Sequence, residues 1–227
     1  MNRPANLVAV IEMERDALAA ETRIAQCPPF VAVNNIEDVI RVPSNLRWNY
    51  PATLATLPKA HGPAFLVKCD SLQSTVLWLG TGDDDYRNDY LLYLNSTYDL
   101  GLTEIPKAYD VDHLYNRSRA KAYGLQYIRM ALVRDAPNRS HGGAYEKDIT
   151  RNEAERQRGD MKLMDEITCM KYFGFLSPLR NDPRDSEVSA YATFAACKLG
   201  LDAKEVRKSV TYLREKASTP WARKRRP

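Results

Sequence analysis

Residues 109–133 read YDVDHLYNRSRAKAYGLQYIRMALV, and the fold class turns on how this stretch is parsed. Tyr109 to Tyr115 is predicted to be a strand carrying the pair Asp112-His113. Asn116 to Tyr123 is predicted as a short helix, with Gly124 as its C-cap because a glycine enters the left-handed region without a Cβ clash. Leu125 to Val133 is the strongest strand signal in the chain, nine residues rich in strand formers and bounded by a glycine. Strand, helix and strand in one short stretch exclude an all-helical protein.

Upstream the same mixture continues. Ala64 to Cys69 and Ser74 to Leu79 are predicted strands separated by a short turn, and Phe30 to Val33 is a shorter one. Ala5 to Gln26 places Leu7, Val8, Ile11, Leu18 and Ile24 on one stripe and predicts a helix that Cys27-Pro28-Pro29 must stop. Asn35 is positioned to cap a further helix start. Asp83, Asp84 and Asp85 stand at the start of a predicted helix from about Asp84 to Tyr98; such a cluster could bind a metal, and more often it caps the helix and complements its dipole. Pro43 to Pro63 holds four prolines and no clear period, so a loop is expected. Downstream, Asn138 to Gly143 reads as a polar loop, followed by helices over about 144–158, 161–173, 186–199 and 203–217. The expected fold is therefore α+β, a mixed region with a small sheet over residues 1–159. An all-helical, basic unit would then follow over residues 160–227.

Composition narrows the function classes. With 44% hydrophobic and 27% charged residues among 227, the chain is ordinary for a globular protein. No run approaches the ~20 apolar residues of a membrane span. The start, Met1-Asn-Arg-Pro, leads into an acidic amphipathic stretch rather than the apolar core of a secretory signal, and a cytoplasmic location is expected. Cys27, Cys69, Cys169 and Cys197 have neither zinc-site spacing nor the density of a disulfide framework, which fits free thiols. The formal charge of +4 is unevenly spread. Residues 1–110 hold 9 Lys and Arg against 14 Asp and Glu, a balance of −5, and residues 111–227 hold 24 against 15, a balance of +9. The second half is therefore suited to a polyanion.

Residues 192–212 read ATFAACKLGLDAKEVRKSVTY. Ala196, Gly200 and Val206 fall where a helix-turn-helix needs a small residue, a left-handed turn and an apolar contact of the second helix on the first. Leu199 and Leu201 flank the turn. The segment resembles that DNA-binding motif, with one departure, Ser209 at a position usually apolar. The resemblance implies a recognition helix beginning at Asp202, Ala203 and Lys204, with Arg207, Lys208, Tyr212 and Arg214 contacting bases or phosphates. The tail Arg223-Lys224-Arg225-Arg226 adds a polycation that phosphates attract regardless of sequence. The same residues also suit an ordinary helical hairpin with a glycine cap and a solvated tail.

Asp112-His113 at a strand end, a second strand, then Asn138 and a helix resemble, over about 35 residues, the HNH or His-Me finger nucleases. The resemblance implies that His113 is the general base, that Asn138 orients it, and that Asp112 and His141 hold a divalent metal, Mg²⁺ or Mn²⁺. Arg117, Arg119, Arg139 and Lys147 would meet phosphates. Imidazole titrates near neutrality, as a base for this reaction needs, and a metal would stabilise the developing phosphorane charge. The short helix between the strands, the lack of bracing CxxC pairs, and His141 at or before the start of the next helix rather than within it all depart from that family. His61, in Lys-Ala-His-Gly-Pro, reads as a loop residue.

The leading expectation is a DNA-binding protein, regulatory and of phage or mobile-element type. The alternatives are a metal-dependent nuclease or nuclease toxin and a non-catalytic adaptor. A protein partner or homo-oligomer is compatible with each.

Overall fold

Asn6 starts the first helix, its side-chain carbonyl accepting from the Ala9 amide at 3.0 Å and satisfying a donor the helix itself cannot. This helix, α1 (Leu7–Ala25), ends at Gln26 in the left-handed region, just before the two prolines. The computed structural model describes residues 4–40, 52–142, 160–177 and 186–218. After α1 come β1 (Phe30–Val33), β2 (Ala52–Thr56), β3 (Ala64–Cys69), β4 (Ser74–Gly80) and α2 (Tyr86–Tyr98). They are followed by β5 (Tyr109–His113), α3 (Arg117–Tyr123), β6 (Tyr127–Arg134), α4 (Asp135–His141), β7 (Met161–Leu163) and α5 (Glu166–Tyr172). The described chain closes with α6 (Ser186–Phe194), a π-helical turn (Ala195–Leu199) and α7 (Ala203–Ser218). The α+β class read from residues 109–133 is the observed one.

The seven strands form one curled antiparallel sheet in the order β2-β3-β4-β6-β1-β7, with β5 also paired to β6. β6 is its hub. Residues 127–129 pair with β4, Tyr127 and Ile128 also pair with β1, and residues 130–134 pair with β5. In the latter half of β6 the pleat feeds two apolar layers, as strand alternation requires. Ala131 and Val133 pack with α5, α6 and α7, while Met130 and Leu132 pack with α2 and the start of α1. Their partners on β5 divide the same way. Asp110 and Asp112 stand opposite Val133 and Ala131, and Val111 and His113 stand opposite Leu132 and Met130.

Three elements depart from the expectation. β2 lies in the proline-rich stretch expected to be loop, and pairs along its length with β3. Residues 161–173, expected as one helix, divide into β7 at the sheet edge and α5. The break is set by pairing of β7 with β1 and by Asp165, whose carboxylate caps the Thr168 amide at 2.7 Å. Asn138 and His141 stand within α4 rather than in a loop, because Asp135-Ala-Pro137 supplies an acidic first turn and a proline where helices tolerate one. The helix expected over 144–158 lies outside the described residues.

The C-terminal helices rest on the sheet. Val188, Tyr191, Ala195, Leu199, Val206 and Val210 share one buried cluster with Leu18, Val31 and Ile128. Among the described residues no helix is long and apolar enough to cross a membrane.

Candidate nucleic-acid interface

α6 does not end as a regular helix. The extra residue per turn in its final π-helical turn leaves Ala195 fully buried and Ala196 exposed, so the small residue that packs is Ala195. Gly200 follows at φ +69, donating its amide to the Ala195 carbonyl. Asp202 then caps the amides of both Lys204 and Glu205 at 2.9 Å. Val206 and Val210 face inward, 3% and 0% exposed. Lys204, Arg207, Lys208 and Thr211 face solvent, and Tyr212 is 53% exposed. Lys208 forms an exposed ion pair with Glu205 at 2.6 Å, and Arg214 is half-buried. Arg223, Lys224, Arg225 and Arg226 lie outside the described residues.

Ser209, the departure from the motif, turns towards α5. Its hydroxyl donates to Glu166 Oε2 at 2.8 Å. Burial raises the Glu166 pKa, and this hydrogen bond opposes that rise. A serine in place of an apolar residue is therefore matched to a half-buried carboxylate, which would otherwise have one partner fewer.

The strand–strand–helix segment has a different geometry from the one its resemblance implies. Because successive side chains of a strand alternate, Asp112 and His113 leave β5 on opposite faces. Asp112 pairs with Lys171 on α5 at 2.6 Å, a lysine side chain 2% exposed. The His113 ring lies instead against Tyr86 on α2, centroids 4.7 Å apart. Asn138 does not orient His113, since its Nδ2 donates to Asp110 Oδ2 at 3.1 Å on the Asp112 side of the strand. His141 is fully buried, its Nε2 3.0 Å from the Phe175 carbonyl, which places it inside the core rather than on an open metal site. Among the described residues no group of three His, Cys, Asp or Glu side chains is arranged to hold a metal ion.

The arginines assigned to phosphates also separate. Arg119 is buried, 7% exposed, with its guanidinium 4.7 Å over the Tyr115 ring, so it does not face a surface ligand. Arg117 donates to Asp84 Oδ1 and the Asp83 carbonyl, both at 2.9 Å. Arg139 is well exposed and stands 3.6 Å from Asp135. Lys147 lies outside the described residues.

The arrangement that sequence reading missed surrounds His61. Its Nδ1 lies 2.7 Å from the fully buried Asp89 and its Nε2 3.1 Å from Asp85, while its backbone amide also donates to Asp89. Both ring nitrogens can donate only as imidazolium, and the Asp89 hydrogen bond followed by the Asp85 charge raises the His61 pKa accordingly. The available signal was the four-residue spacing of Asp85 and Asp89, which puts both on one helix face. The histidine that joins them comes from a loop 28 residues away.

Searches against protein-family models, curated proteins and solved structures each found no match.

Proposed function

We propose that the chain binds DNA through α7, as a DNA-binding protein of regulatory type. The observation that supports this reading is the two-sided character of α7. The helix begins after a left-handed glycine turn and seats Val206 and Val210 in the core. Lys204, Arg207, Lys208 and Tyr212 remain on the outside. An exposed helix of this kind fits the ~12 Å major groove, and its cations suit phosphates and guanine edges. The sequence of α7 carries 5 Lys and Arg against 2 Glu, in the half of the chain whose balance is +9.

Fluorescence anisotropy on a labelled duplex of about 25 base pairs, measured across a salt series, tests the reading. The triple variant K204A/R207A/K208A should weaken binding by roughly a hundredfold at low salt. It should also flatten the plot of log K against log salt by about two to three units. Unchanged affinity and slope would refute α7 as the interface.

A second reading, a metal-dependent phosphodiester hydrolase, is supported by the order β5-α3-β6-α4, an antiparallel strand pair with a helix after its second strand and His113 at the end of its first. In that reading plasmid DNA with Mg²⁺ or Mn²⁺ is nicked by the wild type and left intact by His113→Ala. Intact plasmid with the wild type in either metal removes it.

A further inference from the structure

We infer that the DNA-facing surface continues beyond α7 onto the last turn of α1, where Arg23 serves as an anchor for the phosphate backbone. This rests on the reading of α7 given above. A methyl group placed on Gly200 would stand 3.2 Å from Arg23 Cγ and 3.9 Å from Arg23 Cβ. The aliphatic stem of Arg23 therefore lies against the turn that launches α7. Lys198, two residues before Gly200, is exposed, as is Lys204, four residues after it. Arg23 of α1 thus packs on a glycine that exposed lysines of the π-helical turn and of α7 flank in sequence.

Among the described residues the charge on Arg23 is also uncommitted. Arg117, Arg129, Arg139 and Lys171 each have a carboxylate partner. Arg23 is exposed and has no such partner among the described residues. Glu21, its near neighbour on α1, is held by Arg129 at 2.9 Å and leaves Arg23 un-neutralised. A planar guanidinium fixed at its stem and free at its head suits bidentate contact with a phosphate. A duplex engaged by the first turns of α7 would cross this border with its backbone. The phosphates there would meet Arg23 and Lys198, while base edges would face Lys204 and Arg207.

Arg23→Gln keeps the stem that covers Gly200 and removes the charge, and Arg23→Lys restores the charge without the fork. In the same salt-series measurement Arg23→Gln should bind the duplex about three- to tenfold more weakly near 0.1 M salt. Its salt slope should be shallower by about one unit, and Arg23→Lys should recover most of both. A wild-type slope in Arg23→Gln, alongside a reduced slope in K204A/R207A/K208A, overturns the extension and leaves the α7 reading standing. A salt-independent loss with a lowered melting temperature likewise overturns it, since Arg23 would then act only on the helix end. Failure of the wild type to bind duplex overturns both.

Discussion

Glu14 shows how one side chain sets a pH dependence for the chain. Tyr93 Oη lies 2.7 Å from Glu14 Oε1 and 2.6 Å from the Thr75 carbonyl, and it has only one proton to donate. When that proton goes to the carbonyl, Glu14 must itself be protonated to bond Tyr93. Burial lifts the Glu14 pKa from 4.5 to about 7, against the lowering effect of its tyrosine hydrogen bonds and of Arg129. Between these values the folded chain binds the extra proton, so stability falls as pH rises from about 4.5 to 7, by on the order of 3 kcal/mol. His61 acts in the same direction at higher pH. Its folded pKa is raised, so its ion pairs contribute below about 6.5 and are lost as pH passes through the folded value. Glu14→Gln should remove the lower part of this dependence. Urea denaturation of wild type and variant at pH 5 and pH 8 checks it, the variant gaining on the wild type at the higher pH. A constant difference would mean Glu14 is charged in the folded state. The Glu14 contacts were not legible beforehand, because Glu14 and its tyrosines are 76 and 79 residues apart.

At the scale of elements, what was legible followed local rules. The four strands at 30–33, 64–69, 74–80 and 109–113 carried strand residues between clear breakers, and Gly124 and Gly200 marked helix ends by their permitted φ. The misread elements were those decided by a distant partner. β7 is three residues long and exists because β1 offers it an edge, and β2 is a strand because β3 pairs along all of it. Local composition favoured helix for one and loop for the other. In the candidate nuclease segment the order of elements was legible. The direction of each side chain was not, since a strand-end pair such as Asp112-His113 is necessarily split by the pleat. Gly200 gives the sharpest test of an element. Gly200→Ala would require a left-handed alanine and a contact of 3.2 Å with Arg23. A loss of about 1–3 kcal/mol is expected by chemical denaturation. A loss below about 0.3 kcal/mol would show that the turn relaxes freely.

For the molecule as a whole, charge and packing tell different stories. The charge balance divides the chain near residue 110, and the expected organisation divided it at 159/160. Packing joins what these lines separate. β7 pairs with β1, and α6 and α7 share a buried cluster with α1, β1 and β6. Removing residues 184–227 would expose Leu18, Val31 and Ile128 along with the rest of that layer. The truncated chain should lose cooperative thermal unfolding and bind a hydrophobic dye, by calorimetry and fluorescence. A cooperative transition in the truncated chain would show that the N-terminal part folds alone. The basic surface is therefore tested better by point changes on α7 than by deletion.

Seating α7 on the same apolar layer as β6 has a thermodynamic consequence. Any ligand gripped by the outer face of α7 is lost when the sheet unfolds, so occupancy and global stability are linked. Free duplex at a hundred times its dissociation constant would add about 2.7 kcal/mol to unfolding, and the whole sheet would melt later. The melting temperature of the core thus reports what is bound at the surface, without a label on either partner.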